Sequence, residues 1–202
     1  KIVLNSTASP GDLLYLTKPL GTGVIISAFR ASTTGGWASR GGPHVENELA
    51  TAALWMQTLN RDASRAMCAA GASACTDVTG YGLLGHLREM CSGSGVGARI
   101  DASAVPIMEG ARDLASRGFV PEGTRRNEKT LKRVVRRSTT DLDYTLLCDA
   151  QTSGGLLIAI SPDHAKDLEK EFESASVPVD RIGVTTPDEG VIEVVTGGAD
   201  PV

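Results

Sequence analysis

Residues 74–87 read ACTDVTGYGLLGHL, and this stretch joins two different hydrophobic patterns. A short, mostly apolar segment ends on Asp77, Thr79 and Gly80 interrupt it, and an apolar repeat at helical spacing then begins at Leu83. The sequence therefore places one carboxylate where a strand-like segment gives way to a helix. Ligands collect at such junctions in α/β proteins, because the loop fixes side chains and the helix N-terminus presents unpaired N–H groups. Asp77 can cap this helix or hold a hard cation such as Mg²⁺, and the spacing alone favours the cap.

The composition is that of an ordinary globular protein. Of 202 residues, 41% are hydrophobic and 22% are charged, which allows a sizeable core and argues against disorder. The formal net charge of −4 provides no general attraction for nucleic acid. No apolar run reaches the roughly 18 to 20 residues that a membrane helix needs, and no signal peptide is recognised at the start. We therefore expect neither a nucleic-acid partner nor a membrane partner.

The cysteines predict a reduced, cytoplasmic protein without disulfides or structural zinc. They are Cys68, Cys75, Cys91 and Cys148. No two of them form a C-x-x-C pair, and the longest gaps between them fit no zinc ribbon. Three lie in apolar surroundings, where a thiol behaves as a small hydrophobic group. The three histidines are scattered, and we expect His86, on the helix after Asp77, to support the site or lie on the helix surface rather than to catalyse a reaction.

One run of the chain is strongly basic. Its cationic residues are Arg125, Arg126, Lys129, Lys132, Arg133, Arg136 and Arg137. Such a cluster is usually a solvated helix face. The alternative is an anion or polyphosphate site, because arginine side chains match the geometry of phosphate oxygens.

Strand and helix patterns follow one another along the chain without strict alternation. Strands are predicted over 13–17, 98–101 and 154–160, and a closing hairpin-like pair over 179–185 and 191–195. Helices are predicted over 45–70 with a break near 60–62, from the 74–87 stretch to about 92, over 107–117 and over 162–174. Residues 24–29 fit either a strand or the start of a helix, and residues 33–43 have loop composition. This mixture favours an α+β fold or a three-layer sandwich.

Four glycine-containing turns lie beside polar residues. They occupy residues 18–23, 77–80, 123–127 and 149–155. Glycines let backbone N–H groups approach an anion closely, but none of the four matches a P-loop or a dinucleotide-binding fingerprint. Each turn taken alone is weak evidence, because turns are rich in glycine in any protein.

Taken together, the four turns resemble one family. The strings are LTKPLGTGV (16–24), ACTDVTGYGLLGHL (74–87), VPEGTRRN (120–127) and LLCDAQTSGGLLIAI (146–160). In this order and spacing they resemble the C-terminal half of the selenophosphate synthetases (selenide, water dikinases), within the aminoimidazole-ribonucleotide synthetase-like superfamily. The resemblance covers residues 11–195. It implies an α+β fold, a layered sandwich with a mixed sheet and partial ferredoxin-like topology.

The same resemblance implies a domain plan and an activity. Residues 1–12 would be a linker from a missing N-terminal ATP-binding domain, 13–196 the C-terminal synthetase-like domain, and 197–202 a tail. The family uses ATP to phosphorylate selenide, releasing AMP and orthophosphate, and its homodimer forms mainly through the N-terminal domains. The reactive Cys or selenocysteine and its Lys also belong to the N-terminal half. This chain alone is therefore expected to be inactive, supplying one magnesium ligand and one wall of the ATP cleft.

The resemblance also assigns candidate site residues. Asp77 falls on one of the family's magnesium-binding aspartates. Thr79 can orient that carboxylate or contact a metal-bound water, and Lys18 is a candidate phosphate contact, with a surface lysine beside a turn as the equal alternative. Thr124 and Asn127 are candidates that point into the same cleft.

Two other functions stay open from the sequence. One is a related ATP-using superfamily member, of the hydrogenase-maturation or thiamine-phosphate kinase type, which shares the fold but has other residues at these positions. The other is a non-catalytic domain used for assembly or for docking a partner.

Overall fold

The computed structural model describes residues 2–33 and 45–197, which form one mixed sheet with helices packed on both faces. The strands are β1 (Leu13–Leu16), β2 (Ala74–Asp77), β3 (Gly97–Asp101), β4 (Val135–Ser138), β5 (Leu156–Ile160), β6 (Asp180–Thr186) and β7 (Ile192–Val195). The α-helices of these residues are α1 (Thr22–Thr33), α2 (Glu46–Gln57), α3 (Arg61–Ala70), α4 (Gly82–Ser94), α5 (Ala111–Ser116), α6 (Glu122–Leu131), α7 (Asp141–Leu147) and α8 (Ala165–Ser174).

The strand order explains the fold class. Across the sheet the strands lie in the order β2-β5-β1-β6-β3-β7-β4, and the first four are antiparallel to their neighbours. Along the chain these four occur as β1-α3-β2-β5-α8-β6, and α3 and α8 pack together on one face. This is the β-α-β-β-α-β arrangement of ferredoxin-like folds. The expected α+β sandwich with a mixed sheet and partial ferredoxin-like topology is confirmed.

Strand β1 is buried on both faces of the sheet. Its successive side chains alternate, so Leu14 and Leu16 join a core with α4, while Leu13 and Tyr15 join a core with α3 and α8. This explains why LLYL reads as a continuous apolar run rather than as an alternating one. A third apolar cluster lies between α1, α2 and α5.

The predicted closing hairpin is wrong. Strands β6 and β7 both form, but β3 lies between them, antiparallel to β6 and parallel to β7. The turn that connects β6 to β7 passes over the start of β3, where a Cβ on Gly97 would lie 2.3 Å from the Asp188 carbonyl oxygen. Two neighbouring strand patterns therefore do not pair, because a strand from much earlier in the chain occupies the place between them.

Other expectations are confirmed or refined. The strands predicted at 13–17, 98–101 and 154–160 form, as do the helix after the 74–87 stretch and the helix ending at 174, the latter preceded by a 3₁₀ turn. The helix predicted over 45–70 breaks between α2 and α3, and residues 24–29 belong to α1. The helix predicted over 107–117 begins only at Ala111, since Ile107 pairs with Leu20 and Gly110 adopts a left-handed conformation. Helices α6 and α7 and strand β4 were not predicted.

Two of the predicted segments extend beyond the described residues. Of the predicted loop over 33–43, Thr33 ends α1 and residues 34–44 lie outside the described residues, as do 198–202 of the predicted tail. The segment predicted as a linker lies along the edge of the sheet, where the Leu4 carbonyl accepts a hydrogen bond from Cys75 N at 3.0 Å. In the part of the chain that is described, no helix has the length and apolar character needed to cross a membrane.

Candidate functional site

The four predicted glycine-containing segments meet at one end of the sheet, and three of them are turns. Strands β1 and β2 end there and β5 begins there, since Leu16 pairs with Leu157 and Asp77 pairs with Leu156 in antiparallel register. The turns after β1 and β2 and before β5 are therefore neighbours. The backbone joins them directly, because Val78 N donates to the carbonyl of Gly155 at 2.8 Å. The turn predicted over residues 123–127 is wrong, because these residues lie within α6 (Glu122–Leu131), and this helix reaches the same place.

Asp149 is the buried centre of this junction, with none of its surface exposed. One carboxylate oxygen accepts hydrogen bonds from Gly23 N at 3.0 Å and Val24 N at 3.3 Å, in the first turn of α1. The other accepts from the Thr124 hydroxyl at 2.9 Å. The carboxylate thus satisfies free N–H groups of α1 from a different part of the chain.

Gln151 completes the connection to α1. Its side-chain oxygen accepts hydrogen bonds from Gly21 N at 3.1 Å and from the Thr22 hydroxyl at 3.1 Å. Its side-chain amide donates to Asp149 Oδ2 at 2.9 Å. Burial raises the pKa of Asp149 to about 6, while the hydrogen bonds from Thr124, Val24, Gln151 and Gly23 lower it. The DAQTSGG turn is therefore a structural junction that holds the start of α1.

Glycines permit the close contact between these turns. A Cβ on Gly154 would lie 2.1 Å from the carbonyl oxygen of Val78. At Gly82 the backbone has φ +70°, and a Cβ would lie 2.6 Å from the Cys148 carbonyl carbon. The glycines therefore serve the packing of turn against turn.

Asp77 lies at the exposed end of β2 and does not cap a helix. Helix α4 begins only at Gly82, and its N-cap residue, Tyr81, makes no side-chain capping hydrogen bond. The capping role that the spacing favoured for Asp77 is therefore wrong. Its carboxylate borders a shallow surface depression together with Asn60 and Thr76.

Thr79 contacts a buried histidine. Its hydroxyl lies 3.1 Å from His86 Nε2, and the other ring nitrogen, Nδ1, lies 3.2 Å from Glu89 Oε2. His86 is 7% exposed, so it supports the turn from the core side of α4 and does not lie on the helix surface. Through His86, the turn after Asp77 is linked to Glu89 on the exposed side of α4.

Lys18 is buried, and the alternative of a surface lysine is wrong. Its side chain is directed inward, where Nζ donates to the carbonyls of Thr58 at 2.6 Å and Ser153 at 2.9 Å. Burial lowers the pKa of this amine. Beside it, Asn60 Nδ2 donates to the Gly154 carbonyl at 2.9 Å, while Asn60 Oδ1 is buried and has no hydrogen-bond partner among the described residues.

Thr124 and Asn127 both lie on α6 and both hold the junction together. Thr124 is fully buried, and besides donating to Asp149 its hydroxyl accepts from Ala150 N at 3.1 Å. The Asn127 side-chain amide donates to the carbonyls of Gly80 and Cys148, each at 3.0 Å. The candidate residues therefore surround one junction, with Asp77 at its outer edge.

The basic run is solvated rather than assembled into one site. All seven cationic side chains are exposed, and they are distributed over α6, the following turn and β4. Arg137 pairs with Asp141 at 2.7 Å and lies over the Tyr144 ring at 4.4 Å. All seven are exposed, as the solvated alternative predicts, although Arg126 lines a groove between α4 and α6 and Lys129, Lys132 and Arg137 line a second depression beside Tyr144.

The sequence reasoning missed Asp149 and Gln151 as fixed points of the fold. Both belong to a quoted turn, and the available signal was their position just before the clearest strand of the chain. A polar pair there must find partners, because it is buried where β5 enters the core.

The family follows from the comparison with known proteins. Residues 9–196 match the family model described as AIR synthase related protein, C-terminal domain. This chain belongs to that family. Among curated relatives, it is 45% identical over 173 residues to a selenide, water dikinase of Caldanaerobacter subterraneus subsp. tengcongensis, covering 85% of this chain and 47% of the relative. It is 42% identical over 202 residues to the selenide, water dikinase of Geobacter metallireducens, covering 100% of this chain and 52% of the relative.

Solved structures share the family fold at lower identity. A thiamine-monophosphate kinase from Stenotrophomonas maltophilia has a TM-score of 0.62 and 21% identity, covering 98% of this chain and 54% of its own. The hydrogenase maturation protein HypE, solved in complex with ATP, has a TM-score of 0.63 and 16% identity, and the match covers 95% of this chain and 49% of HypE. These likenesses concern the fold alone. The chain spans about half the length of the curated relatives it matches.

Proposed function

We propose that this chain is the C-terminal part of an enzyme that makes selenophosphate from selenide and ATP, with AMP and orthophosphate as the other products. The observation that carries the proposal is the 42–45% identity to selenide, water dikinases over 85–100% of the chain. The thiamine-monophosphate kinase and HypE structures share 16–21% identity with it. The proposal assigns the remaining catalytic groups to an N-terminal domain, through which the full-length enzyme forms a homodimer in the cytoplasm.

Asp77 is the magnesium ligand in this proposal. Its exposed carboxylate is a hard oxygen donor of the kind that Mg²⁺ prefers. The described residues contain no group of three or more His, Cys, Asp or Glu side chains that could hold a metal, so Asp77 fits one ligand of a shared site. Bound Mg²⁺ would neutralise and orient phosphoryl oxygens. In this proposal the other carboxylates needed for turnover come from the N-terminal domain.

The remaining candidates form the wall beside this ligand. Thr79 lies in the turn that follows Asp77, and its hydrogen bond to His86 keeps that turn in place. Lys18, Thr124 and Asn127 support this wall indirectly, because their polar groups hydrogen-bond the turns that border the cleft. In this proposal these residues position the wall of the ATP cleft. The substrates are selenide and ATP, and the protein binds neither nucleic acid nor a membrane.

Substitution of Asp77 in the full-length parent protein tests the proposal. Asp77→Asn keeps the shape and removes the charge, so selenide-dependent AMP formation should be abolished. Asp163→Asn, an exposed carboxylate beside α8, is the matched control and should leave the rate unchanged. An active Asp77→Asn enzyme would remove the metal assignment. A parent protein that forms no AMP with selenide but phosphorylates another substrate, or has no activity, would favour the kinase-type or docking alternatives.

A further inference from the structure

A groove of about 920 Å³ lies between α4 and α6, and Gly80 and Asn127 are among its lining residues. The side chains that matter for its chemistry are Tyr81, Arg88, Glu89, Ser92, Arg126 and Thr130. Its volume is within the range of small-molecule binding sites. Asp77 is not among its lining residues. Of its charged groups, Glu89 is linked to the turn after Asp77 through His86 and Thr79, whereas the guanidinium groups of Arg88 and Arg126 are not.

The charge of the groove is positive and unbalanced. Arg88 comes from α4 and Arg126 from α6, so the two helices that form the walls each contribute one guanidinium. Neither has an ion-pair partner within residues 2–33 and 45–197. The carboxylate of the groove, on Glu89, is bonded to His86 Nδ1 at 3.2 Å. Two guanidinium groups therefore line one space with a single carboxylate, so the charge of the groove stays positive.

The shape of the groove admits a ligand between these cations. A Cβ on Gly80 would meet nothing within 4 Å, so the turn leaves open space at this wall. At Gly85, by contrast, a Cβ would lie 2.6 Å from Tyr81 Cβ, so the glycine lets that side chain pack across the first turn of α4. Tyr81 is 60% exposed, with its ring 5.5 Å from that of His86. Tyr81 therefore presents exposed aromatic surface to the cationic groove.

We propose that the α4–α6 groove binds a small phosphate-bearing anion, held by Arg88 and Arg126. Planar guanidinium groups bond two phosphate oxygens at once, which favours phosphate over a monovalent anion such as chloride. Inorganic pyrophosphate and a nucleoside phosphate share this chemistry. A nucleoside phosphate would in addition stack its base on Tyr81.

Calorimetric titration of the 202-residue chain tests the proposal, with orthophosphate, pyrophosphate, AMP and ATP as probes. Magnesium-free buffer containing a chelator removes any contribution from a metal at Asp77. We expect Arg88→Ala and Arg126→Ala each to weaken binding about tenfold, since each removes a charge-assisted contact. Arg125→Ala is the matched control, because Arg125 is exposed on the same helix but does not line the groove. If the ligand is a nucleotide, Tyr81→Ala should weaken the binding of AMP and ATP but not the binding of pyrophosphate.

Two further measurements keep the proposal falsifiable. Thermal melts of all variants check that a loss of binding does not come from unfolding, and Arg88→Gln and Arg126→Gln replace any alanine variant that melts early. Asp77→Asn should bind the probes as the unchanged chain does, which separates this groove from the proposed magnesium site. Absence of binding by every probe at millimolar concentration would overturn the proposal. Equal binding by the Arg126→Ala and Arg125→Ala chains would also overturn it.

Discussion

The hydroxyl of Thr124 donates a hydrogen bond to the carboxylate of Asp149 at 2.9 Å, and both side chains are fully buried. This contact joins α6 to the turn before β5, and the same carboxylate holds the first turn of α1. A buried carboxylate is costly unless its oxygens are bonded, so the junction depends on every one of these donors.

Loss of the Thr124 hydroxyl should therefore destabilise the chain. Thr124→Val keeps the shape but leaves one oxygen of Asp149 without its donor, and we expect the free energy of unfolding to fall by about 1–3 kcal/mol. Urea denaturation monitored by circular dichroism measures this change. Thr124→Ser keeps the hydroxyl, so its free energy of unfolding should fall by less. Equal decreases in the two variants would contradict the role of the hydrogen bond.

The stability of the chain should depend on pH through Asp149. Burial raises its pKa from the ordinary value of 3.8 to about 6 in the folded protein, which therefore binds the proton more tightly than the unfolded chain does. The resulting contribution is fully present below pH 3.8 and is lost as the pH rises through about 6. Relative to Asp149→Asn, the free energy of unfolding should thus decrease by a few kcal/mol, on the order of 3, between these limits.

The measurement is a pair of denaturation series, one for each chain, over this range of pH. All other titrating groups are common to both chains, so their contributions cancel in the difference. A difference that is constant from pH 4 to pH 7, or that increases with pH, would show that the pKa of Asp149 is not raised on folding.

A side chain at Gly154 should strongly destabilise the chain, because two turns are in close contact there. Gly154→Ala places a methyl group 2.1 Å from the Val78 carbonyl oxygen, so the turns must separate, and we expect a loss of about 3 kcal/mol or more. Gly80→Ala is the matched control, since its methyl group meets nothing within 4 Å and should change stability by less than about 1 kcal/mol. Thermal melts of the two variants compare them directly. Similar melting temperatures would mean that the turns do not pack as described.

In the chain alone, Asp77 should contribute little to stability. Its carboxylate is exposed and caps no helix, so Asp77→Asn should shift the free energy of unfolding by less than about 1 kcal/mol. The same urea titration measures it. A chain that unfolds after this substitution would show that the carboxylate has a structural role instead of the proposed metal-binding one.

Much of the local structure follows from the order of residues alone. The apolar run of β5 and the helical repeat that begins at Leu83 are local patterns, and each forms the predicted element. The pairing of β6 with β7 was predicted from their nearness in the chain and is wrong, because β3 takes the place between them. Helix α6 was not predicted, because it contains Gly123 and few apolar residues, which favour a turn in the sequence, and only Thr124 and Leu131 of this helix are buried.

Some features of the candidate site follow from the sequence, and others appear only in the tertiary structure. The sequence by itself determined the family resemblance, three of the four predicted glycine-containing turns, and that Asp77 ends a strand, whereas the fourth segment, 123–127, lies in α6. Only the tertiary structure decided that Lys18 is buried, that Asp149 holds α1, and that Arg88 and Arg126 line one groove. The physical reason is that burial and charge pairing depend on groups far apart in the chain, whose meeting is set by strand order and helix packing rather than by local preference.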